Sequence, residues 1–224
     1  MTVTEQESEG LIQQSAYRTV ALHLQHQLSR QLARNHRPGE EGLPFLTLGA
    51  ANWITLLRAG AIAGLAGFLP MAVRGLPQGM AWTPGLVYLG VSLADLLDGF
   101  VARRQNRVTE LGKRLDRATD AAGLLVASLL AVCLGRLPAP YLLVGSAYYA
   151  FIFGVRLRQK QALPLVALQP RPYARTIAGF QMGLVGLALL PLLEPAFTFV
   201  AAYIFMAPLL AGFLRDWLVV SCRV

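Results

Sequence analysis

The sequence DLLDGFVARRQNRVTELGKRLDRATD, residues 95–120, contains four of the chain's five aspartates and joins two long apolar segments. Its aspartates form two pairs: Asp95 and Asp98 are three residues apart, and Asp116 and Asp120 are four residues apart. Both spacings place the two members of a pair on one face of a helix. If the two helices are antiparallel neighbours, all four carboxylates can converge. The stretch therefore predicts a helical hairpin with an acidic site at one end.

The rest of the chain is apolar enough to lie in a lipid bilayer. Of its 224 residues, 55% are hydrophobic and only 14% are charged, whereas an average globular protein has about 25% charged residues. A soluble bundle would need a polar face on most helices, and these segments have almost none. Crossing a hydrocarbon core takes about 20 helical residues. We predict an all-α polytopic membrane protein with six transmembrane helices at residues 52–73, 81–101, 115–135, 138–156, 175–193 and 196–217.

Basic residues predict the orientation of these spans. The second and third spans are separated by a connection that contains Arg103, Arg104, Arg107, Lys113 and Arg114. The fourth and fifth are separated by one that contains Arg156, Arg158, Lys160, Arg171 and Arg175. The opposite connections have only Arg74, Arg136 and Glu194 as charges. The positive-inside rule therefore places both basic loops, and both termini, in the cytoplasm.

The net charge of +8 is concentrated on this face, where it would attract anionic lipids and phosphorylated substrates. Nucleic acid is not an expected partner, because the basic residues flank spans instead of lining a soluble surface.

The N-terminal region, residues 1–45, differs from the membrane domain, residues 46–224. Residues 11–35 are predicted to form a helix with one apolar and one polar face. Such a helix can lie in the membrane interface, or it can pack against the body or a partner subunit, and the sequence does not decide between these positions. Residues 35–44 contain Pro, Gly and charges, which is typical of a linker.

Four uncompensated carboxylates at a membrane edge would repel one another, and divalent cations would relieve that repulsion. Ligand sets made only of oxygen select hard ions such as Mg²⁺ or Mn²⁺. Two such ions about 3.5–4 Å apart form the usual clamp for in-line displacement at phosphorus. The sequence therefore favours a two-metal site for phosphoryl chemistry.

The residues between the aspartates fit a phosphorylated ligand. Gly99 and Ala102 remove side-chain bulk beside Asp98, so such a ligand could approach the helix backbone. Arg103 supplies a planar fork suited to phosphate, and Gly112 opens the start of the third span. Small residues taken singly favour close helix packing, but their combination with the aspartates indicates a binding site.

The complete pattern is D-x₂-D-G-x₂-A-R-x₈-G-x₃-D-x₃-D, and it resembles the signature of the class I CDP-alcohol phosphatidyltransferase family. Upstream, NWITLLR, residues 52–58, resembles the Asn-x-x-Thr-x-x-Arg opening of the family's first helix, although GAAN, residues 49–52, lacks the Pro that often precedes this Asn. The resemblance implies a six-helix membrane enzyme, usually a homodimer, with a two-metal site open to the cytoplasm. Such enzymes transfer a phosphatidyl group from CDP-diacylglycerol to an acceptor alcohol and release CMP.

The resemblance also implies roles for individual residues. The metal ligands would be Asp95, Asp98, Asp116 and Asp120, with Asp95 and Asp116 bridging the ions. The contacts with the CDP-lipid would be Asn52, Thr55, Gly99, Ala102, Arg103, Thr109 and Gly112. Asp120 would also accept the proton of the acceptor hydroxyl. Arg58 lies inside an apolar helix and needs a reason to be there: a structural pairing and a substrate contact both remain open.

The acceptor is predicted from RPYARTIAGFQMG, residues 171–183, which is similar to a Lys-Thr-Ala-containing segment of phosphatidylglycerophosphate synthases. Arg175 stands where a Lys is common in that segment. Arg171, Arg175 and Thr176 would face the cytoplasmic mouth, and guanidinium groups suit an acceptor that already bears phosphate, such as glycerol 3-phosphate. The arginines could equally be positive-inside anchors.

Other acceptors and other classes of protein remain as alternatives. Inositol phosphate, serine and phosphatidylglycerol are open as acceptors. Arg215 and Asp216 could pair with each other or line the same mouth. A cation transporter would also cluster aspartates, but near the bilayer midplane between broken helices. An inactive scaffold would keep the helices and lose carboxylates, whereas all four are present here.

Overall fold

A computed structural model describes residues 49–104, 109–168 and 172–222. Every regular element in these ranges is a helix, so the predicted all-α class is confirmed there. The α-helices are α1 (Gly49–Ala66), α2 (Leu69–Arg74), α3 (Thr83–Arg104), α4 (Glu110–Cys133), α5 (Leu142–Lys160), α6 (Pro172–Leu189) and α7 (Pro195–Val220). Short 3₁₀ turns at Gln78–Met80 and Ala139–Tyr141 precede α3 and α5. The predicted N-terminal helix and linker, within residues 1–45, lie outside the described residues.

Four described segments are long and apolar enough to cross a membrane: Gly49–Arg74, Thr83–Val101, Ala139–Lys160 and Pro195–Val220. They correspond to the first, second, fourth and sixth predicted spans. Leu57 in α1 is 73% exposed and Phe153 in α5 is 69% exposed. Such large apolar side chains on the outside of several helices indicate a membrane-embedded protein, because hydrocarbon can cover them where water would not.

The third and fifth predicted spans, α4 and α6, are less apolar than these four segments. The first turns of α4 contain acidic and basic side chains between Glu110 and Asp120, and α6 is only 18 residues long and includes Arg175 and Gln181. Both helices nevertheless pack inside the bundle. Of their polar residues, Gln181 is buried, Asp116 and Asp120 are partly exposed, and Arg175 is exposed.

α4 is the central helix of the bundle, in contact with α1, α3, α5 and α6. Its second half is fully buried at Ala127, Leu130 and Ala131. The same core cluster includes Leu65 of α1, Tyr88 of α3, Val144 of α5, Val185 of α6 and Ala202 of α7. Because the apolar half of α4 lies in this core, its charged first half lies toward one end of the bundle.

Glycines let the helices approach α4 and α3 closely. A Cβ atom built on Gly145 of α5 would lie 2.8 Å from the Cα of Leu125 in α4. A Cβ on Gly186 of α6 would lie 2.5 Å from a methyl carbon of Leu89 in α3. Small residues are typical of membrane helix interfaces, since they let dispersion contacts form between the helices.

Hydrogen bonds between the connections show which helix ends lie together. After α4, the Arg136 guanidinium donates to the Leu193 carbonyl at 3.1 Å, and the Thr198 hydroxyl donates to the Arg136 carbonyl. The ends of α4 and α6 therefore meet the start of α7. At the other end, Arg158 of α5 donates to the Ser221 carbonyl, after α7, at 3.2 Å. The starts of α4 and α6 consequently lie at this second end of the bundle.

Candidate functional site

The buried face of α1 is polar where it meets α3 and α4. Asn52, Thr55 and Arg58 recur at intervals of three residues, followed on the same face by Ile62 and Leu65, and all five are buried. Arg58 is only 2% exposed. A guanidinium inside an apolar bundle is costly unless it is paired, so this side chain needs opposite charges within reach.

Three aspartates supply those charges. The Arg58 Nη1 atom lies 3.0 Å from Oδ1 of Asp95 and 2.9 Å from Oδ1 of Asp116. Its Nη2 atom donates to Oδ1 of Asp120. Of the two explanations left open for Arg58, the structure therefore shows a structural pairing.

The same geometry brings carboxylates from two helices together. One oxygen each from Asp95 on α3 and from Asp116 and Asp120 on α4 lie within 4.8 Å of one another. The three side chains are 25–34% exposed, so the cluster is open on one side. Asp98 follows Asp95 by three residues in α3, but its side chain lies outside the description. For three of the four aspartates, the structure agrees with the predicted convergence.

This cluster fits a hard divalent cation. All of its donors are carboxylate oxygens, the ligands that Mg²⁺ and Mn²⁺ prefer. The Arg58 guanidinium already occupies it as a cation, with ion pairs to three aspartates. One positive charge against three negative ones leaves a formal excess of negative charge, which favours a further cation.

The start of α4 assembles several of the residues predicted to contact the nucleotide. Thr109 precedes the helix, and its hydroxyl accepts a hydrogen bond from the Gly112 backbone N–H at 3.0 Å, which caps the helix. A Cβ on Gly112 would lie 2.7 Å from Oδ1 of Asn52 and 3.1 Å from Oγ1 of Thr109. The absence of a side chain at Gly112 thus leaves room for the Asn52 side chain of α1. These three residues lie at the same end of α4 as the aspartates.

The other predicted nucleotide contacts lie on α1 and on the second half of α3. Thr55 is buried and its hydroxyl donates to the Ala51 carbonyl at 3.1 Å within α1. Gly99 is partly exposed in the second half of α3. Ala102 and Arg103 belong to the last turn of α3, and their side chains lie outside the description.

Two of the three predicted acceptor residues, Arg175 and Thr176, lie at the same end of the bundle as the aspartates. Arg175 and Thr176 are exposed in the first turn of α6, while Arg171 lies outside the described residues. Arg215 of α7 donates to the hydroxyl of Tyr173 at 2.9 Å. That bond joins the last turns of α7 to the start of α6, a contact that the sequence interpretation did not include.

Sequence reasoning also missed a polar strip on α3 that leads to Asp95. A cavity beside the carboxylates is lined by Arg58, Ile62, Tyr88, Val91, Ser92, Thr119, Asp120, Gly123 and Met182. The Tyr88 side chain is 1% exposed, and its hydroxyl has no hydrogen-bond partner among the described residues. Tyr88, Ser92 and Asp95 recur at intervals of four and three residues. That spacing is the signal in the sequence that could have identified this strip.

The comparison with known families agrees with the motif. A sequence model of the CDP-alcohol phosphatidyltransferase family matches residues 48–220, which include every described helix. This match favours an enzyme over the transporter and scaffold alternatives, and members of the family depend on divalent metal ions. The chain therefore belongs to the CDP-alcohol phosphatidyltransferase family, membrane transferases of phospholipid biosynthesis that move a phosphatidyl group from a CDP-linked alcohol to an acceptor.

Proposed function

We propose that this enzyme transfers the phosphatidyl group of CDP-diacylglycerol to a phosphorylated polyol, with glycerol 3-phosphate as the preferred acceptor, and releases CMP. The observation that carries the reaction is the carboxylate cluster formed by Asp95, Asp116 and Asp120. The choice of acceptor is supported by Arg175, which is exposed at the start of α6, at the same end of the bundle. This assignment makes the protein similar to phosphatidylglycerophosphate synthases.

Asp95, Asp98, Asp116 and Asp120 would hold two ions of Mg²⁺ or Mn²⁺. When bound, these ions neutralise the diphosphate of the CDP-lipid and stabilise negative charge on the departing CMP. The carboxylate cluster suits these ions because its donors are all oxygen atoms and because the aspartate side chains are partly exposed, so that ions can reach them. The formal charge of four aspartates is what two divalent ions would balance.

Asp120 is the proposed general base. Its carboxylate is partly exposed, and the Arg58 guanidinium holds one of its oxygens, so the side chain is oriented before metal and substrate bind. The acceptor hydroxyl would give its proton to Asp120 while its oxygen forms the new bond to the lipid-linked phosphorus. The bond from that phosphorus to CMP breaks in the same step. Direct attack requires that both substrates are bound together.

The CDP part of the donor would bind at the start of α4 and the end of α3. The proposed contacts are Asn52, Thr55, Gly99, Ala102, Arg103, Thr109 and Gly112. This location is supported by the close approach of Asn52, Thr109 and Gly112 beside the carboxylates. Gly99 and Ala102 have little side-chain bulk, which would let a flat nucleotide approach the backbone of α3, whereas the space beside Gly112 is filled by Asn52 and Thr109.

Arg171, Arg175 and Thr176 would bind the phosphate of the acceptor. Arg171 and Arg175 are four residues apart, a helical spacing that can place both guanidinium groups on one face. Two guanidinium groups would bind the phosphate of glycerol 3-phosphate or inositol phosphate but have no such ligand in serine. Phosphatidylglycerol offers a phosphodiester and is the weaker alternative.

In the membrane, we infer six spans with both termini in the cytoplasm and the active site on the cytoplasmic face. The four apolar segments, together with α4 and α6, supply the six helices. The basic residues that flank the starts of α4 and α6 support this orientation through the positive-inside rule. Residues 1–45 would form the cytoplasmic or interfacial extension of residues 46–224, and the enzyme would act as a homodimer.

The acceptor assignment is tested with purified protein in lipid nanodiscs that contain CDP-diacylglycerol and Mg²⁺. We expect CMP release to be fastest with glycerol 3-phosphate among glycerol 3-phosphate, inositol phosphate, serine and phosphatidylglycerol. Mass spectrometry of the lipid product should then identify phosphatidylglycerophosphate. Fastest release with serine or phosphatidylglycerol would show that the acceptor is wrong, and no release with any acceptor would contradict the proposed reaction.

Replacement of single aspartates separates metal binding from proton transfer. Asp120→Asn should lower kcat by about 10²–10⁴, the usual contribution of a positioned general base. Its affinity for the CDP-lipid should fall less than that of Asp95→Asn, which removes a ligand expected to bridge both ions. The measurement is kcat together with CDP-lipid binding for both variants. If both variants lose nucleotide binding equally, Asp120 acts only through the metal.

Arg175→Ala tests the acceptor site. We expect the KM for the acceptor to rise by about tenfold or more, since a charged hydrogen bond contributes roughly 1.5–3 kcal/mol, while the KM for the CDP-lipid changes little. Arg175→Lys should recover only part of the affinity, because a point charge does not replace a bidentate fork.

The matched control for Arg175→Ala is Arg156→Ala. Arg156 is an exposed arginine in the last part of α5 and belongs to the same basic connection, but no acceptor role is proposed for it. Equal increases of acceptor KM in both variants would indicate diffuse attraction by the basic face. An unchanged acceptor KM in the inserted fraction of Arg175→Ala, together with a smaller inserted or correctly oriented fraction, would make these arginines topology signals.

A further inference from the structure

The position of the Arg58 guanidinium overlaps the place proposed for a metal ion. Its Nη1 atom is shared between Asp95 at 3.0 Å and Asp116 at 2.9 Å, and both aspartates are proposed metal ligands. Magnesium binds oxygen at about 2.0–2.1 Å and tolerates little distortion. A cation between these two carboxylates and the guanidinium nitrogen cannot occupy the same space.

The charges of the site also indicate that Arg58 and the metal ions compete for the carboxylates. Arg58 partly neutralises three carboxylates that lie within 4.8 Å of one another, and without a counter-charge these groups would repel strongly. Two divalent ions would balance the four aspartates of the motif by themselves. The positive charge of the guanidinium is therefore needed to hold the carboxylates together without metal ions, and it exceeds what the carboxylates require once two divalent ions are bound.

Polar groups beside the carboxylates could receive the Arg58 guanidinium, but the cavity between them has room for only about one water molecule, so the side chain reaches them only if its neighbours rearrange. The cavity beside the carboxylates is lined by Arg58 together with Tyr88, Ser92 and Thr119. The Tyr88 hydroxyl there is buried and has no hydrogen-bond partner among the described residues. A guanidinium that withdraws from the carboxylates toward this side would meet hydroxyl oxygens that can accept its N–H groups.

We infer that Arg58 is a positioning residue that takes the place of a metal ion: its guanidinium holds Asp95, Asp116 and Asp120 together, and divalent cations displace it when they bind. The inference rests on the proposed function, which assigns these aspartates to the metals. It goes further in that the enzyme contains its own competitor for the metal site. Metal affinity is then set partly by how firmly Arg58 is held.

Direct measurement of metal binding tests this role without an activity assay. Mn²⁺ is titrated into the full-length protein in nanodiscs, without CDP-lipid, and the electron paramagnetic resonance signal of free Mn²⁺ is recorded. Arg58→Met removes the charge and keeps an unbranched apolar side chain. We expect it to bind Mn²⁺ about tenfold more tightly than wild type or better, the factor that corresponds to one charged hydrogen bond lost from the competitor.

Thermal unfolding supplies an independent readout. In excess chelator, Arg58→Met should unfold at a lower temperature than wild type, because its three carboxylates lack a counter-charge. Saturating Mn²⁺ should raise the unfolding temperature of the variant by more than that of wild type. A rise that is equal or smaller in the variant would contradict the inference.

The matched control is Arg136→Met. Arg136 is partly buried and donates to the Leu193 carbonyl at the opposite end of the bundle, so its loss should leave Mn²⁺ affinity at the wild-type value. Asp95→Asn should weaken Mn²⁺ binding in the wild-type background. Mn²⁺ binding that Asp95→Asn leaves unchanged would come from elsewhere and would contradict both the metal site and the role of Arg58.

If Arg58→Met cannot be purified, the same Mn²⁺ titration is carried out with Arg58→Lys. A lysine keeps the positive charge but lacks the planar fork that pairs with three carboxylates. The Mn²⁺ affinity of Arg58→Lys should therefore lie between that of wild type and that of Arg58→Met. Variants that bind Mn²⁺ no more tightly than wild type overturn the role of Arg58 and leave the metal site intact. A wild-type protein that binds no Mn²⁺ overturns the proposed metal site and the inference with it.

Discussion

The ion pairs between Arg58 and three aspartates are the interaction on which the arrangement of α1, α3 and α4 depends. The guanidinium is 2% exposed and contacts carboxylates from two other helices. An unpaired charge in an apolar bundle would be costly, so sliding or rotation of any of these helices is opposed by the loss of a pair. The same pairs bring the carboxylates close enough to share a cation. One electrostatic constraint thus determines both the packing of three helices and the geometry of the site.

This constraint also explains the two halves of α4. Its second half is apolar and forms the centre of the core, where Gly145 of α5 lets the neighbouring backbone approach. Its first half carries Asp116 and Asp120 and begins at the Thr109 cap, with Gly112 against the Asn52 side chain. The rigid buried half therefore positions the charged half. A site built on a packed helix holds its groups more precisely than one built on a loop.

The sequence predicted the elements whose pattern is local and left out those that depend on distant partners. Helical spacing was enough to predict that Asp95, Asp116 and Asp120 converge, and the motif was enough to identify the family. It did not show that Arg58 lies among these aspartates, because Arg58 is 37 positions from Asp95, 58 from Asp116 and 62 from Asp120, and these residues meet only in the folded bundle. The bond from Arg215 to Tyr173 was missed for the same reason. Two of the six predicted spans, α4 and α6, are not among the four described segments that are long and apolar enough to cross a membrane, because charged and polar side chains interrupt their apolar sequence.

The role of the carboxylate cluster can be tested through the metal dependence of CMP release from CDP-diacylglycerol. If the carboxylates around Arg58 form the metal centre of a phosphatidyl transfer site, purified enzyme should release no CMP in excess chelator, whatever acceptor is supplied. Activity should return with Mg²⁺ or Mn²⁺, which suit oxygen ligands, and should not return with Zn²⁺ alone. Full turnover in excess chelator would show that phosphatidyl transfer needs no metal ion, and the carboxylate cluster would then not be a metal centre.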